Sequence, residues 1–136
     1  MKYVLDKNAL TTDLMANLDG RTDLCITEDV VDEAGFSDND ISKLKRAGVQ
    51  LLKFSNKHFE KLKEIMDLHG KNLKLINLYT GKGTADVAIL AYIIAERDYP
   101  ETLFNEEYVI VTNDKELTAT AHQYKIKCTL KLPKGT

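Results

Sequence analysis

The sequence predicts an α/β fold, a three-layer α/β/α sandwich with a central, mostly parallel sheet of about five strands. Two observations predict this class. Short apolar runs alternate with segments of helical spacing along the 136 residues, and the run Tyr108–Val111 is uninterrupted, as in a buried parallel strand. The length suits a single domain, which we expect to cover residues 1–136.

The chain begins with a short apolar run, Lys2–Leu5, that predicts the first strand. Asp13–Leu18 predicts a short helix, and Leu24–Thr27 predicts the second strand. Thr27 is suited to cap the helix that follows. The apolar side of that helix carries Val30, Val31 and Ala34.

Two helices and a third strand are predicted next. Ser37 and Asp40 have the spacing of a capping box, and Gly48 is placed to end the helix that they begin. Val49–Phe54 predicts the strand. The segment that follows has helical spacing as far as Gly70, and Phe59 at that spacing is expected in the core, whereas His69 near the end of the helix is expected to interact with the helix dipole or to pack on the surface. The residues at that spacing are Phe59, Leu62, Ile65, Met66 and His69.

The second half of the chain has the clearest pattern. Gly81–Thr84 predicts a flexible turn, with Thr84 as the cap of an apolar helix over Ala85–Glu96. Tyr108–Val111 predicts a strand in a central position of the sheet. The spacing of Leu117, Ala121 and Tyr124 predicts a last helix, and Ile126–Leu132 predicts the final strand.

The composition excludes several classes of protein. No apolar stretch approaches the roughly 18 residues that a membrane helix needs, and Met1 leads into a strand rather than a signal peptide. The two cysteines, Cys25 and Cys128, are too few for a disulfide scaffold and are expected to be buried free thiols. We therefore expect a cytoplasmic protein with no membrane partner.

The formal charge of −2 conceals an asymmetry along the chain. Residues 1–40 sum to −7, residues 41–82 to +7 and residues 83–136 to −2. An acidic pocket beside a basic surface suits a polyanion that is handled through bound cations. The alternative is that the lysines only form solvated helix faces.

Acidic residues gather where a parallel sheet places its ligands. Asp6 ends the first predicted strand, and Asp114 lies just after Tyr108–Val111. The second strand is followed by the acidic segment Glu28–Glu33, and Asp86 lies in the first turn of the long helix. Because the carboxyl ends of parallel strands share one edge, these acids can converge, and such a cluster implies a hard cation, Mg²⁺ or Mn²⁺.

Simpler roles exist for the same residues. Asp6 would form a turn, Asp114 would cap the following helix, and Asp86 would be a favourable charge in a first helical turn.

Gly81–Thr84 does not form a P-loop, because Gly and not Ser or Thr follows its lysine. No zinc site is predicted, because the histidines lack the required spacing.

Four segments resemble the PIN domain family, in the family's order and spacing. The first resembles its opening strand, which ends in an aspartate followed by small polar residues, and the other three resemble its later acidic blocks. The segments are Tyr3–Leu10, Ile26–Glu33, Gly83–Ala91 and Val111–Leu117.

The resemblance implies a metal-dependent nuclease, commonly an endoribonuclease that leaves a 5′-phosphate and a 3′-hydroxyl. Many single-domain prokaryotic members are VapC-type toxins, which implies an antitoxin protein as a partner, and homodimers are usual in the family. One or two Mg²⁺ or Mn²⁺ ions would be held by Asp6, Glu33, Asp86 and Asp114. Asn8 and Thr112 would orient these carboxylates.

Two points of the match stay open. Lys7 follows Asp6 where the family often has Thr or Ser. In the second segment Asp29 and Glu33 lie one helical turn apart, so that Asp29 is the alternate metal ligand beside Glu33. Two functions remain: an active endoribonuclease acting on RNA, or a PIN-like binding or assembly module with little or no catalysis.

Overall fold

The structure is a computed structural model, and it describes residues 1–18, 21–69, 84–100 and 106–132. The predicted fold class is confirmed, because five parallel strands form a sheet that helices flank. The strands are β1 (Lys2–Leu5), β2 (Leu24–Thr27), β3 (Gln50–Leu52), β4 (Tyr108–Val111) and β5 (Lys127–Thr129). Their order in the sheet is β3-β2-β1-β4-β5.

A 3₁₀ helix and six α-helices connect the strands in the described part of the chain. The 3₁₀ helix Lys7–Ala9 follows β1 directly. The α-helices are α1 (Thr12–Ala16), α2 (Glu28–Glu33), α3 (Asp38–Ala47), α4 (Asn56–His69), α5 (Thr84–Asp98) and α6 (Lys115–Gln123). None of them is long and apolar enough to cross a membrane.

The local signals at α2 and α3 work as predicted. The Thr27 hydroxyl accepts a hydrogen bond from the backbone N–H of Val30 at the start of α2. The capping box of Ser37 and Asp40 is present in both directions at the start of α3. Gly48 ends α3 with φ +96°, and a Cβ at this position would lie 2.9 Å from the carbonyl oxygen of Arg21, so that glycine is required there.

The core lies between the sheet and its helices, and α5 is its most buried helix. From Ala85 to Ala95, all residues of α5 except Asp86 are buried. The prediction that Phe59 lies in the core is wrong, because its side chain is 57% exposed. The neighbouring His58 is buried instead, since α4 packs on α5 through the face that carries His58 and Ile65.

Two strands are shorter than the sequence predicted. The apolar run Val49–Phe54 forms a ladder only over β3, since its partner β2 stops at Thr27, where α2 begins. The run Ile126–Leu132 is likewise limited to β5, because β4 ends at Val111.

The two cysteines are free, Cys25 buried and Cys128 half-buried. The predicted cap at Gly70, the turn 81–83 and the side chain of Thr84 lie outside the described residues.

The strand order reverses between β1 and β4. From β1 the chain moves through β2 to β3 on one side, and the later strands β4 and β5 lie on the other side. Ligands of open parallel sheets bind in the crevice at the carboxyl ends of two such strands. Asp6 follows β1 and Thr112 follows β4, so these two residues stand at that crevice.

Candidate metal centre

Asp6 is the most buried acid of the crevice, with only 4% of its surface exposed. Its Oδ1 accepts a hydrogen bond from the backbone N–H of Lys7 at 2.8 Å. Its Oδ2 accepts from Thr112 Oγ1 at 2.7 Å and from Asn8 Nδ2 at 3.0 Å. Three donors therefore hold the carboxylate in a single orientation. Asp6 is also the cap of the 3₁₀ helix, whereas its simpler role in the sequence was that of a turn residue.

Asn8 and Thr112 connect the ends of β1 and β4. Asn8 Nδ2 lies 3.3 Å from Thr112 Oγ1, and Asn8 Oδ1 accepts a hydrogen bond from the backbone N–H of Asn113 at 3.1 Å. Thr112 Oγ1 also accepts from the backbone N–H of Asp114 at 3.0 Å. The two loops thus form a single bonded unit beneath the acids, and both predicted orienting residues contact Asp6.

Asp114 is half-buried at the start of α6. Its Oδ1 accepts a hydrogen bond from the backbone N–H of Leu117 at 3.0 Å, so it caps the helix as its simpler role predicted. This bond occupies one carboxylate oxygen and sets the direction of the other. A capping aspartate can therefore still offer an oxygen to the crevice.

The pKa of Asp86 indicates that acids from four segments of the chain lie near one another. Burial, and then the negative charges of Asp6, Asp114 and Glu33 in that order, raise the pKa of Asp86 to about 8. A hydrogen bond with Asp6 adds to this shift. The simpler role of Asp86, a favourable charge in the first turn of α5, does not account for a raised pKa, because a helix N-terminus favours the ionised form.

The two candidates of α2 differ in their surroundings. Glu33 is exposed at the end of α2, and its charge acts on Asp86. Asp29 is half-buried, and its pKa is raised by burial first and then by the charges of Asp32 and Glu28. The charges that act on Asp29 therefore belong to its own helix. The charge of Glu33, in contrast, acts on Asp86 of the crevice.

The carboxylates are near one another but are not gathered into a closed cage. Among the described residues, no group of three or more His, Cys, Asp or Glu side chains has the spacing to hold an ion. The excess negative charge around Asp86 is nevertheless the condition that a divalent cation relieves. A donor set made only of carboxylate oxygens suits Mg²⁺ or Mn²⁺, so these residues fit such an ion by the chemistry of their donor atoms.

Three features of the site were not predicted from the sequence. The backbone N–H of Asn113 anchors Asn8, and two lysines, Lys7 and Lys115, directly follow two of the acids. Within the basic segment 41–82, Lys57 pairs with Glu96 of α5 at 3.3 Å. Residues 70–82 of this segment lie outside the described part of the chain. The lysines beside the acids were visible in the sequence, but only the fold places both at one crevice.

The fold and the site together define an α/β protein with an acidic crevice at the point where the strand order reverses. A family model described as a PIN domain matches residues 3–130, and the chain belongs to the PIN domain family. PIN domains are typically nucleases that act on nucleic acids and generally use divalent metals. Neither a curated protein nor a solved structure matches the chain.

Proposed function

We propose that this protein is a metal-dependent endoribonuclease whose centre is formed by Asp6, Glu33, Asp86 and Asp114. The observation that carries the proposal is the bonded arrangement of Asp6 and Asp114 at the ends of β1 and β4, joined through Asn8 and Thr112, in a chain of the PIN domain family. The charges of Asp6, Asp114 and Glu33 also raise the pKa of Asp86. Carboxylates that repel one another lower the stability of the fold even where two of them cap helices, and they are suited to share a cation.

The four acids would hold one or two Mg²⁺ or Mn²⁺ ions. A bound ion of this kind acidifies a water molecule and offsets negative charge at the scissile phosphate. The fold positions the carboxylates. Asp6 and Asp114 lie in the loops that follow the neighbouring strands β1 and β4, and Asp86 lies in the first turn of α5. Glu33 is proposed as the ligand from α2, in preference to Asp29, because its charge acts on Asp86.

Asn8 and Thr112 are proposed to orient Asp6 rather than to contact the substrate. Thr112 has only 2% of its surface exposed, and its hydroxyl is shared among Asp6, Asn8 and the backbone of Asp114. Groups that position metal ligands in this way contribute to metal affinity without touching the ion.

The biological setting is part of the proposal. We place the activity in the cytoplasm, on RNA, with the protein acting as the toxin of a toxin–antitoxin pair and as a homodimer. The support is the resemblance of four segments to the PIN domain family, whose single-domain prokaryotic members are often VapC-type toxins. A short open reading frame beside the gene, encoding a chain that binds and inhibits this one, is the expected partner.

The test is a cleavage assay with the full chain, a fluorescent single-stranded RNA and either Mn²⁺ or Mg²⁺. The expected result is cleavage that EDTA abolishes and that leaves a 5′-phosphate on the product. Asp86→Asn should lower the rate by about 10²-fold or more, as the loss of an electrostatic stabiliser does. Asp67→Asn, an exposed aspartate on α4, is the matched control and should cleave normally.

The alternative function is a binding or assembly module that does not cleave RNA. It predicts no metal-dependent cleavage and no stabilisation by Mn²⁺ in the wild-type protein. It also predicts that Asp86→Asn leaves RNA binding unchanged. Both absences together would contradict the nuclease.

A further inference from the structure

Two exposed lysines begin the two helices that follow the crevice acids. Lys7 comes directly after Asp6 and starts the 3₁₀ helix, and Lys115 comes directly after Asp114 and starts α6. Both side chains are exposed, and neither forms an ion pair in the part of the chain that the structure describes.

The segments that carry the two lysines are bonded to each other. The backbone N–H of Asn113 donates to Asn8 Oδ1 at 3.1 Å, and Thr112 Oγ1 donates to Asp6 Oδ2 at 2.7 Å. The backbones of Lys7 and Lys115 therefore belong to two loops that are bonded to each other. Both loops lie beside the acids, at the carboxyl ends of the strands.

Neither lysine stabilises the fold through the contacts that the structure describes. Lys115 lies in the first turn of α6, where the positive end of the helix dipole makes a cation unfavourable. Asp6 and Asp114 accept hydrogen bonds from backbone N–H groups, and no ion pair among the described residues joins either acid to Lys7 or Lys115. The described contacts therefore leave both charges available to a ligand.

A nucleic-acid strand needs such charges at this place. Its phosphates must approach a crevice that carries four carboxylates, and one or two divalent ions only reduce or cancel that negative charge. Flanking cations attract the neighbouring phosphates, and lysine binds phosphate as a flexible point charge. We propose that Lys7 and Lys115 form a phosphate clamp, which holds the backbone of the RNA substrate beside the acidic crevice.

This inference rests on the proposed function, so its test separates binding from cleavage. The binding of a fluorescent single-stranded RNA is measured by anisotropy in Ca²⁺ at several KCl concentrations, with a gel to show that the RNA stays intact. The chains compared are the wild type, the double variant Lys7→Ala/Lys115→Ala, and Lys127→Ala. Lys127 is an exposed lysine at the start of β5, at the amino ends of the parallel strands and away from the crevice, and it pairs with Glu107 at 3.1 Å.

The double variant is expected to bind RNA about tenfold more weakly or worse at low salt. Its log–log salt slope should fall by about 1.4, since each lost phosphate contact removes about 0.7 for a single strand. Lys127→Ala should keep the wild-type affinity and slope, and Lys7→Arg/Lys115→Arg should keep most of the slope. The thermal midpoint of the double variant should not fall below that of the wild type, because neither lysine forms an ion pair among the described residues. Its stabilisation by Mn²⁺ should be unchanged, because neither lysine holds the ion.

Two results would overturn the clamp. One is an unchanged affinity and salt slope in the double variant, and the other is an equal loss in Lys127→Ala. A wild-type chain that binds RNA through the lysines but never cleaves it would contradict the nuclease and still support the clamp.

Discussion

The hydroxyl of Thr112 donates a 2.7 Å hydrogen bond to Oδ2 of Asp6, across 106 positions of the chain. The register of the sheet makes this contact, because Leu5 pairs with Val111 and the next residue of each strand therefore lies beside its neighbour. The pairing of β1 with β4 thus places a buried carboxylate and its orienting hydroxyl at the crevice. The predictions that follow test the residues around this bond.

Thr112→Val should lower both the stability of the protein and its affinity for Mn²⁺. The variant keeps the shape of the side chain but removes a donor to Asp6 and an acceptor for the backbone of Asp114. We expect a loss of about 1–3 kcal/mol in the free energy of unfolding and about 10–100-fold in Mn²⁺ affinity. Denaturant unfolding and a Mn²⁺ titration measure the two losses.

Thr120→Val is the matched control for that change. Thr120 is also buried, but its hydroxyl donates only to the backbone oxygen of Glu116 within α6. Its Mn²⁺ affinity should equal that of the wild type. If both variants lost metal equally, the Thr112 hydroxyl would have no special role at the site.

Glu33→Gln and Asp29→Asn should separate the two candidate ligands of α2. Glu33 acts electrostatically on Asp86, whereas Asp29 is crowded by Asp32 and Glu28. We expect Glu33→Gln to lower the cleavage rate by about 10²-fold and to weaken Mn²⁺ binding. Asp29→Asn should stay within a few-fold of the wild type. The reverse order in both assays would assign the ligand to Asp29.

Asp86 should make the metal-free protein less stable as the pH rises. Its pKa is 3.8 as a free side chain and about 8 in the fold, so the native state binds the proton more tightly than the unfolded state. Below pH 4 both states carry the proton and stability is not affected. Between pH 4 and 8 this group removes up to about 1.4 kcal/mol per pH unit, and the full penalty applies above pH 8.

Asp86→Asn removes this titration. In EDTA the variant should therefore be more stable than the wild type at pH 9, and the difference should shrink as the pH falls towards 4. Asp67→Asn should follow the wild-type curve. Unfolding by denaturant across this pH range measures the difference, and parallel curves for the wild type and Asp86→Asn would show that Asp86 is not crowded by the other acids.

His58 should be a structural residue and not a metal ligand. Its Nδ1 accepts the backbone N–H of Ser55 at 2.8 Å, and its Nε2 lies 2.8 Å from Glu96 Oε1. Its ring stacks on Tyr92 with centroids 4.3 Å apart. His58→Ala leaves these groups unpaired and opens a cavity, so it should cost about 2–4 kcal/mol of unfolding free energy.

The control for His58 is His122→Ala, because His122 is exposed on α6. It should cost less than about 1 kcal/mol. Chemical denaturation compares the two, while the response to Mn²⁺ should be retained by both variants. A selective loss of that response in His58→Ala would contradict its structural role.

The sequence predicted the parts of the fold that local chemistry controls. The capping box at Ser37, the left-handed Gly48 and the strands β1, β2 and β4 all depend on residues close together in the chain. The limits of β3 and β5 did not follow from their own residues, because a ladder ends where the partner strand ends.

Phe59 shows why helical spacing alone misplaced a core residue. Of the apolar positions that follow helical spacing in α4, Ile65 is buried, but His58 and not Phe59 is the other buried residue of the face that packs on α5. A polar residue occupies the core there because its two ring nitrogens are satisfied by Ser55 and Glu96. A pattern of apolar residues contains no sign of that pairing.

The candidate site was predictable as a set of acids, but its connections were not. Asp6 and Asp114 follow strands in the sequence, and the parallel topology implies a shared edge. The bonds of Asn8 to Thr112 and Asn113 depend on the register between β1 and β4. Register is a property of the folded sheet, so these links became visible only in the structure.

Crystals grown with MnCl₂ give the most direct measurement of the central claim, through anomalous difference density at the manganese edge. The account predicts one or two peaks in the crevice, within coordination distance of carboxylate oxygens of Asp6, Asp86 and Asp114, with Glu33 completing the set. No peak there at saturating Mn²⁺, or a peak held only by other residues, would contradict a metal centre at the ends of β1 and β4.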